Sequence, residues 1–315
     1  MKFLLSPFGI FLKGFSTKYF VSQGMSRMVK NKNDYQSFFE NRTILIATQH
    51  GKEKVIAPLL EKNLGVSIFV PTDMDTDVLG TFTGEIERKD EPVITLRKKC
   101  AMAMDKYGYD LAIASEGSFG PHPSLFFVSA DDELLMLVDR KNNLEIIASE
   151  ISTDTNFNGA EIATEIQLRD FAEKVRFPSH SLILREEKEG RKKIIKGIVD
   201  WESLLKNFHQ IKAEHGNVYA ETDMRAMNNP TRMAVIEKAT QKLLQEIQSC
   251  CPTCQKPGFG ISKMIPGLPC EYCGLPTRSA LKSLYTCKYC THQQFQEYPL
   301  HKKSEEAMYC DYCNP

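Results

Sequence analysis

Along residues 42–115, short unbroken apolar runs alternate with stretches in which apolar residues recur every three or four positions. TILIAT (43–48) is brief, β-branched and continuous, the pattern of a strand buried on both faces. The turn QHGK follows, and Val55, Ile56, Leu59 and Leu60 then lie at helical spacing within 53–63. VSIFV (66–70) reads as a second strand, a long polar loop leads to a helix over 93–107, and LAIAS (111–115) is a third buried strand. Strand, helix, strand, loop, helix and strand in this order predict a mainly parallel sheet with right-handed crossovers.

After residue 120 the apolar runs come closer together. LFFVS (125–129), LLMLVD (134–139) and LEIIASEIS (144–152) are separated by short turns such as RKNN, so they are expected to extend the same sheet in antiparallel fashion. A helix near 163–175, a hairpin of SLILRE and KIIKGIVD around Glu189-Gly190, a helix over 201–215, a strand at NVYAET and a helix over 231–248 complete this part. The expected fold class is α/β, a mixed sheet with a parallel start and an antiparallel extension, followed by a C-terminal double zinc-ribbon tail. The expected divisions are a leader over 1–41, an α/β domain over 42–248 and a zinc-ribbon region over 249–315.

The tail is assigned by its cysteines. Four Cys-x-x-Cys pairs occupy the last 65 residues: Cys251/Cys254, Cys270/Cys273, Cys287/Cys290 and Cys310/Cys313. Two sulfurs at this spacing sit on one tight turn and offer half of a tetrahedral S4 site, so four such knuckles predict two Zn2+ ions and no histidine ligand. Disulfides or an iron–sulfur cluster are the competing readings. Closed thiolate shells leave no open position, which makes the zincs structural. Gaps of 15, 13 and 19 residues separate the knuckles. Local loop closure favours sequential pairing, 251/254 with 270/273 and 287/290 with 310/313. Closing the middle gap instead would leave the outer pairs to meet. Each doubling of loop length costs only about 0.6 kcal/mol, so the preference is small.

Lys+Arg and Asp+Glu balance at 40 each, so no overall basic field marks the chain for nucleic acid or membrane. Eight zinc-type cysteines of ten point to a reducing compartment, the cytoplasm. Cys100 reads as a buried structural thiol in a helix. Residues 1–33 carry six basic residues and no acid, and their apolar stretch is too short to span a bilayer. They are expected to be an organellar targeting segment, a disordered leader or an over-extended start.

Candidate chemistry falls beyond the carboxyl ends of the predicted strands, where open α/β sheets bind ligands. Lys52, at the end of the loop that starts at Thr48, enters a helix N-terminus and is suited to an anion. Thr81 and Thr83, between Gly80 and Gly84, offer a second binding loop. Glu116, Ser118 and His122 lie in EGSFGPHP, read as an irregular loop that presents an acid, a hydroxyl and an imidazole together. Asp223, Arg225 and Arg232, beside a strand end and a helix start, suit a phosphate or carboxylate. Simple turns, a capped structural loop and a salt-bridged helix start are the competing readings. Neither a P-loop nor a G-x-S-x-G elbow is present.

Taken together, ATQHGKE (47–53), GTFTGE (80–85), ASEGSFGPHP (114–123), ETDMRAMNNPTRM (221–233), CPTCQKPGFG (251–260), PGLPCEYCGLPT (266–277) and CDYCNP (310–315) resemble an uncharacterised, mainly bacterial family with an α/β body and a cysteine-rich end. Over about 80 residues the chain also resembles the inosine/xanthosine triphosphate pyrophosphatases. That likeness places Thr48 and Lys52 in a phosphate loop, Lys98 and Lys99 on a following helix, and Glu116 as a metal-binding acid. The first motif lacks its usual Asn, and its spacing to Lys52 is one residue short.

The expected function is therefore a hydrolase or transferase of a phosphorylated or nucleotide-like anion. Lys52, Arg225 and Arg232 would hold it, Glu116 would act as general base or ligand to a divalent ion such as Mg2+, and His122 would be acid, base or orienting group. Lys52, Glu116 and Arg225 are expected to line one cleft, with His122 at its rim. The alternative is a non-catalytic protein whose zinc ribbons bind nucleic acid or a protein partner. Glu271, Glu297, Glu305, Glu306 and Asp311 interrupt any basic stripe there.

Overall fold

The computed structural model describes residues 35–74, 90–190 and 192–315. Residues 1–34, most of the expected leader over 1–41, and the loop carrying Thr81 and Thr83 lie outside the described residues. In chain order, α1 (Gln36–Phe39), β1 (Thr43–Ala47), α2 (Glu53–Leu64), β2 (Ser67–Phe69), α3 (Pro92–Tyr107), β3 (Leu111–Pro121), β4 (Ser129–Asp139) and β5 (Leu144–Ser152) build the first layer system. The sheet order is β2-β1-β3-β4-β5. β1 pairs in parallel with β2 and β3, and β4 and β5 continue antiparallel, the mixed sheet that the hydrophobic pattern predicts.

Local sequence explains the helices. α2 buries Ile56, Leu60 and Leu64, four residues apart, and stops where Gly65 takes a left-handed φ of 66°. α3 starts with Pro92 in its first turn, where a missing N–H costs nothing, and buries Leu96, Cys100, Ala103 and Met104. Cys100 is fully buried, its thiol pushed up to about 12 mainly by that burial. α2 covers one face of the sheet and α3 the other.

Two expectations change. LFFVS is not a strand: residues 125–128 belong to the turn between β3 and β4, with Phe126 and Phe127 exposed. EGSFGPHP is not an irregular loop either. β3 runs on through it to Pro121, because β4 pairs with it residue by residue from Leu111↔Asp139 to Pro121↔Ser129. The long ladder outweighs the turn propensities of Gly117, Gly120 and Pro121, the last of which sits at the strand end, where proline is tolerated.

A second, antiparallel sheet, absent from the sequence-based expectation, follows. β6 (Gly159–Glu161), α4 (Glu165–Lys174), β7 (Leu182–Arg185), β8 (Ile194–Ile198), α5 (Trp201–His215) and β9 (Tyr219–Thr222) give the order β6-β9-β7-β8. Its separate core joins Leu168 and Phe171 of α4 to Leu204, Phe208 and Ile211 of α5. The β7–β8 hairpin is where the pattern predicts it. α6 (Pro230–Gln248) then returns to the first sheet beside α2, burying Ile236, Ala239, Leu243, Leu244 and Ile247. Truncating Leu243 to Ala would cost about 2–5 kcal/mol.

The tail is a meander of β10 (Gly260–Pro266), β11 (Ala280–Thr286) and β12 (Gln293–Glu297), ordered β10-β11-β12. Among the described residues no helix is long and apolar enough to cross a membrane.

Candidate functional site

The strand order reverses at β1. The chain moves from β1 through α2 to β2 on one side, then through α3 to β3 on the other, a topological switch point of the kind that opens a ligand site. β1 ends at Ala47, opposite Ala114, whereas β3 continues to Pro121. Charged side chains gather along this continuation of β3, which β4 still pairs but β1 no longer does.

Lys52 reaches it from the start of α2, after His50 and Gly51 turn the chain with φ of 66° and 76°. Its ammonium donates to Ser115 Oγ (3.1 Å) and lies 3.9 Å from Glu133 Oε2. Burial pulls the Lys52 pKa down to about 8, against the opposing pull of Glu133. Glu133, fully buried on β4, accepts a hydrogen bond from Arg232 Nε at 2.6 Å. Arg232 is placed by the N-cap of α6. The Asn229 side chain accepts from the Arg232 backbone N–H (2.9 Å), and the guanidinium donates to the Met224 carbonyl and covers the Phe119 ring at 5.0 Å.

Gly117 sits opposite Glu133 in the β3–β4 ladder, and a side chain there would collide with Arg232 and Glu133. Asp131 lies two residues before Glu133, on the same face and 1% exposed. Burial, and then Glu133, push its carboxyl up to about 8. Through the other face of the sheet, Lys99 of α3 pairs with Glu116 at 2.5 Å. Buried ion pairs add little net stability, and ionisable groups shifted by burial gather where chemistry is done.

Of the four residues expected to converge, Lys52 and Glu116 belong to this cluster and interact electrostatically across the end of β1. Arg225 does not reach it. Its Nε and Nη2 bind Asp223 at 3.0 and 2.6 Å. Asp223, fully buried, also accepts from Gly197 N (3.1 Å) and Asn228 Nδ2 (2.7 Å). Burial opposes ionisation of Asp223, but these bonds outweigh it and hold the carboxyl below its ordinary range. His122 closes the β3–β4 turn: its Nδ1 accepts from the N–H groups of Ser124 and Leu125, both at 3.1 Å. Ser118 is exposed on β3. Arg232, not Arg225, supplies the guanidinium of the cluster.

Ser115, Asp131 and Glu133 escape a reading of the sequence. Their signal is the acidic triplet Asp131-Asp132-Glu133 opening an otherwise apolar strand, together with a glycine inside the strand opposite.

The eight knuckle cysteines form two tetrads that could hold metal ions, one of Cys251, Cys254, Cys287 and Cys290 and one of Cys270, Cys273, Cys310 and Cys313. Within each, all sulfurs lie within 4.8 Å of one another. The cross-knuckle separations are 3.7 Å (Cys251–Cys290), 3.5 Å (Cys254–Cys287), 3.9 Å (Cys270–Cys313) and 3.7 Å (Cys273–Cys310). A tetrahedron with Zn–S of about 2.3 Å has edges of about 3.8 Å, whereas a disulfide needs about 2.05 Å. The thiols therefore fit a metal and are not oxidised. Each first knuckle closes the same turn, with Gln255 N–H donating to Cys251 O and Gly274 N–H to Cys270 O, and the residue after the second cysteine is left-handed, φ 59° and 71°. The N–H of Tyr272 donates to Cys270 Sγ and that of Tyr289 to Cys287 Sγ, the outer-shell contacts that stabilise bound thiolates.

The pairing is interleaved, which corrects the sequential expectation. A strand lies between each knuckle and the next, so successive knuckles are carried to opposite ends of the meander. β10 and β11, of seven residues each, are about 23 Å long at 3.3 Å per residue. That distance overrides a loop-closure preference of a fraction of a kcal/mol.

Fold and sites together define an α/β protein with an ionic cluster at its switch point and a tail closed by two cysteine tetrads. The chain belongs to the family defined by a domain of unknown function, DUF6671, whose model matches residues 99–315. That stretch contains Lys99, Glu116, Asp131, Glu133, Arg232 and both tetrads, and Lys52 precedes it. No curated protein matches the chain.

Proposed function

We propose that the chain is an enzyme, a hydrolase or transferase, acting on a phosphorylated, nucleotide-like small molecule at the ends of β1 and β3, with a structural zinc ion in each cysteine tetrad. The observation that carries this reading is Lys52: a buried ammonium at the N-terminus of a 12-residue helix, at the switch point, among ionic groups of both signs. The helix N-terminus and Lys52 suit a phosphate, with Arg232 adding charge behind it. Glu116 pairs with Lys99 at 2.5 Å and is the group proposed as general base, and Ser118 lies exposed beside it for a polar contact with the ligand. Thr81 and Thr83 stay part of the proposal as ligand-binding hydroxyls. His122 and Arg225 are assigned to shaping the fold, since their polar atoms serve the β3–β4 turn and Asp223.

A panel of nucleotides and phosphorylated metabolites tests the reading. Glu116→Gln should lower turnover of a substrate so found by roughly 10²–10⁴-fold, the range for a lost acid–base group. Lys52→Met should raise KM and lower kcat/KM. Full activity in both variants would refute the assignment. For the metals, analysis of reduced protein should find two zinc ions per chain, and one or none would refute that count.

A second reading, a tail that docks a protein partner, is favoured by the exposed rings of Tyr272, Tyr309 and Tyr312 around the second tetrad. It predicts a complex that is lost on Tyr272→Ser with no effect on turnover.

A further inference from the structure

On the α6 side of the ion cluster there are more acid oxygens than its own cations engage. Both carboxylate oxygens of Asp131, and Oε2 of Glu133, are buried with no hydrogen bond among the described residues. Asp131 is 1% exposed and Glu133 is fully buried. Native proteins rarely leave buried carboxylate oxygens without donors, and an ion that belongs there is one of the standard reasons. The neighbouring cations point elsewhere. Lys52 donates to Ser115 Oγ at 3.1 Å and stands 3.9 Å from Glu133 Oε2, while Arg232 uses Nε on Glu133 Oε1 and Nη1 on the Met224 carbonyl. Asp131 and Glu133 alternate with Asp132 on β4, so their side chains share one face, the one covered by α2 and α6. Gly117 keeps β3 bare at the same level, where a side chain would strike the Glu133 carboxylate.

We propose that Asp131 and Glu133 form a binding site for a hard divalent cation of the Mg2+ or Mn2+ class. The donor set is oxygen only, and two carboxylates completed by water or ligand oxygens are the usual protein share of an Mg2+ shell. The thiolate tetrads are soft sites that select other metals, so the two kinds of site do not compete. Glu116, the acid expected from the sequence to take this part, is engaged by Lys99 instead.

The charges also point to a ligand. A divalent ion bound by both carboxylates would hold them as anions, offset by Lys52 and Arg232, so the ion's own charge would leave this side of the cluster with two surplus positive charges. An anion arriving at the N-terminus of α2 would neutralise them. That last step rests on the substrate class proposed above, whereas the cation site does not.

The experiment titrates Mn2+ into the full zinc-loaded chain, read by water-proton relaxation and by broadening of backbone amide resonances. One saturable Mn2+ displaced by Mg2+ is expected, with the amides of Gly117 and Glu133 among the first to broaden. Asp131→Asn should weaken binding by more than the roughly 10–100-fold lost with an outer-shell partner. Asp105→Asn, on the surface, should leave it unchanged. No saturable binding, broadening at exposed acids alone, or an unaltered affinity in Asp131→Asn would overturn the proposal. Should that variant fail to fold, the broadening map of the natural chain decides. No substrate enters the measurement, so Mn2+ binding stands even where the enzyme reading fails, and turnover without Mn2+ binding would remove the cation site alone.

Discussion

The two cysteine tetrads share a ligand set and a knuckle turn, yet they stand in different surroundings. The first is built into the body. Cys250 and Tyr289 pack against the core of the main sheet, Phe38 meets Tyr289 edge-on at 6.1 Å, and Lys256 lies 4.4 Å over the same ring. The Lys288 ammonium donates to the Glu145 carbonyl, and Gly258 lies against Ile146 and Leu144. The second tetrad is held mainly by its own segment, where Glu305 accepts from Ser279 Oγ at 2.6 Å and its carbonyl accepts from Glu271 N–H. Around it Tyr272 is 84% exposed and Tyr312 66%. Equal ligand sets thus rest on unequal support: the first site can draw on a hydrophobic core, and the second would depend on a bound metal.

Metal removal should separate them most. Binding supplies on the order of 10 kcal/mol or more of folding free energy in small thiolate sites. Chelation is expected to bring amide exchange around residues 268–277 and 305–313 to unfolded rates, while β3 and β4 stay protected. Protection that persists throughout the tail after chelation would break the comparison.

Single ligands sharpen it. Cys310→Ser should release one metal of two and leave the body's melting temperature nearly unchanged, whereas Cys287→Ser should release the other and lower it. The double variant Cys270→Ser/Cys273→Ser should keep one metal on Cys251, Cys254, Cys287 and Cys290; loss of that metal instead would contradict the interleaved pairing.

Smaller effects follow from the packing. Tyr289→Ala should cost about 2 kcal/mol in denaturant melts, below the roughly 3–5 of a fully buried ring. Tyr272→Ala should stay within about 0.5 kcal/mol. Gly258 and Gly274 are both left-handed, at 81° and 71°, which an alanine tolerates at a cost of about 1–2 kcal/mol. Gly258→Ala should lie at the top of that range, because its Cβ would press on Ile146 at 3.2 Å, and Gly274→Ala at the bottom, because nothing lies within 4 Å.

The parallel half of the main sheet is legible in the sequence because its strands are buried on both faces: TILIA and LAIAS read as strands in any context. The second sheet is less so. β9 falls within the predicted strand NVYAET and pairs with β7 as well as β6, but β6, with three residues, is too short to show a period and gains its place by pairing with β9. β10–β12 are long enough, but their sparse apolar residues gave no strand signal, and with them was hidden the reason that knuckles pair across the meander. At the ionic site, Lys52 and Glu116 stand out because each follows an apolar run. Asp131 and Glu133 do not, since an acid at the start of a strand reads as solvated until α6 is laid over it. The choice between Arg225 and Arg232 is likewise tertiary: Asp223 captures one, and the helix cap at Asn229 aims the other.

Interleaved knuckles also decide what a protease can do to the tail. With both metals bound, a cut within 255–269 is spanned by the first tetrad, a cut within 291–309 by the second, and a cut within 274–286 by both. Under sequential pairing the middle loop would have been a free joint, and one cut there would have released the last 30 or so residues. In the pairing observed, a single nick anywhere between the knuckles leaves the fragments fastened together until the thiolates give up their metal.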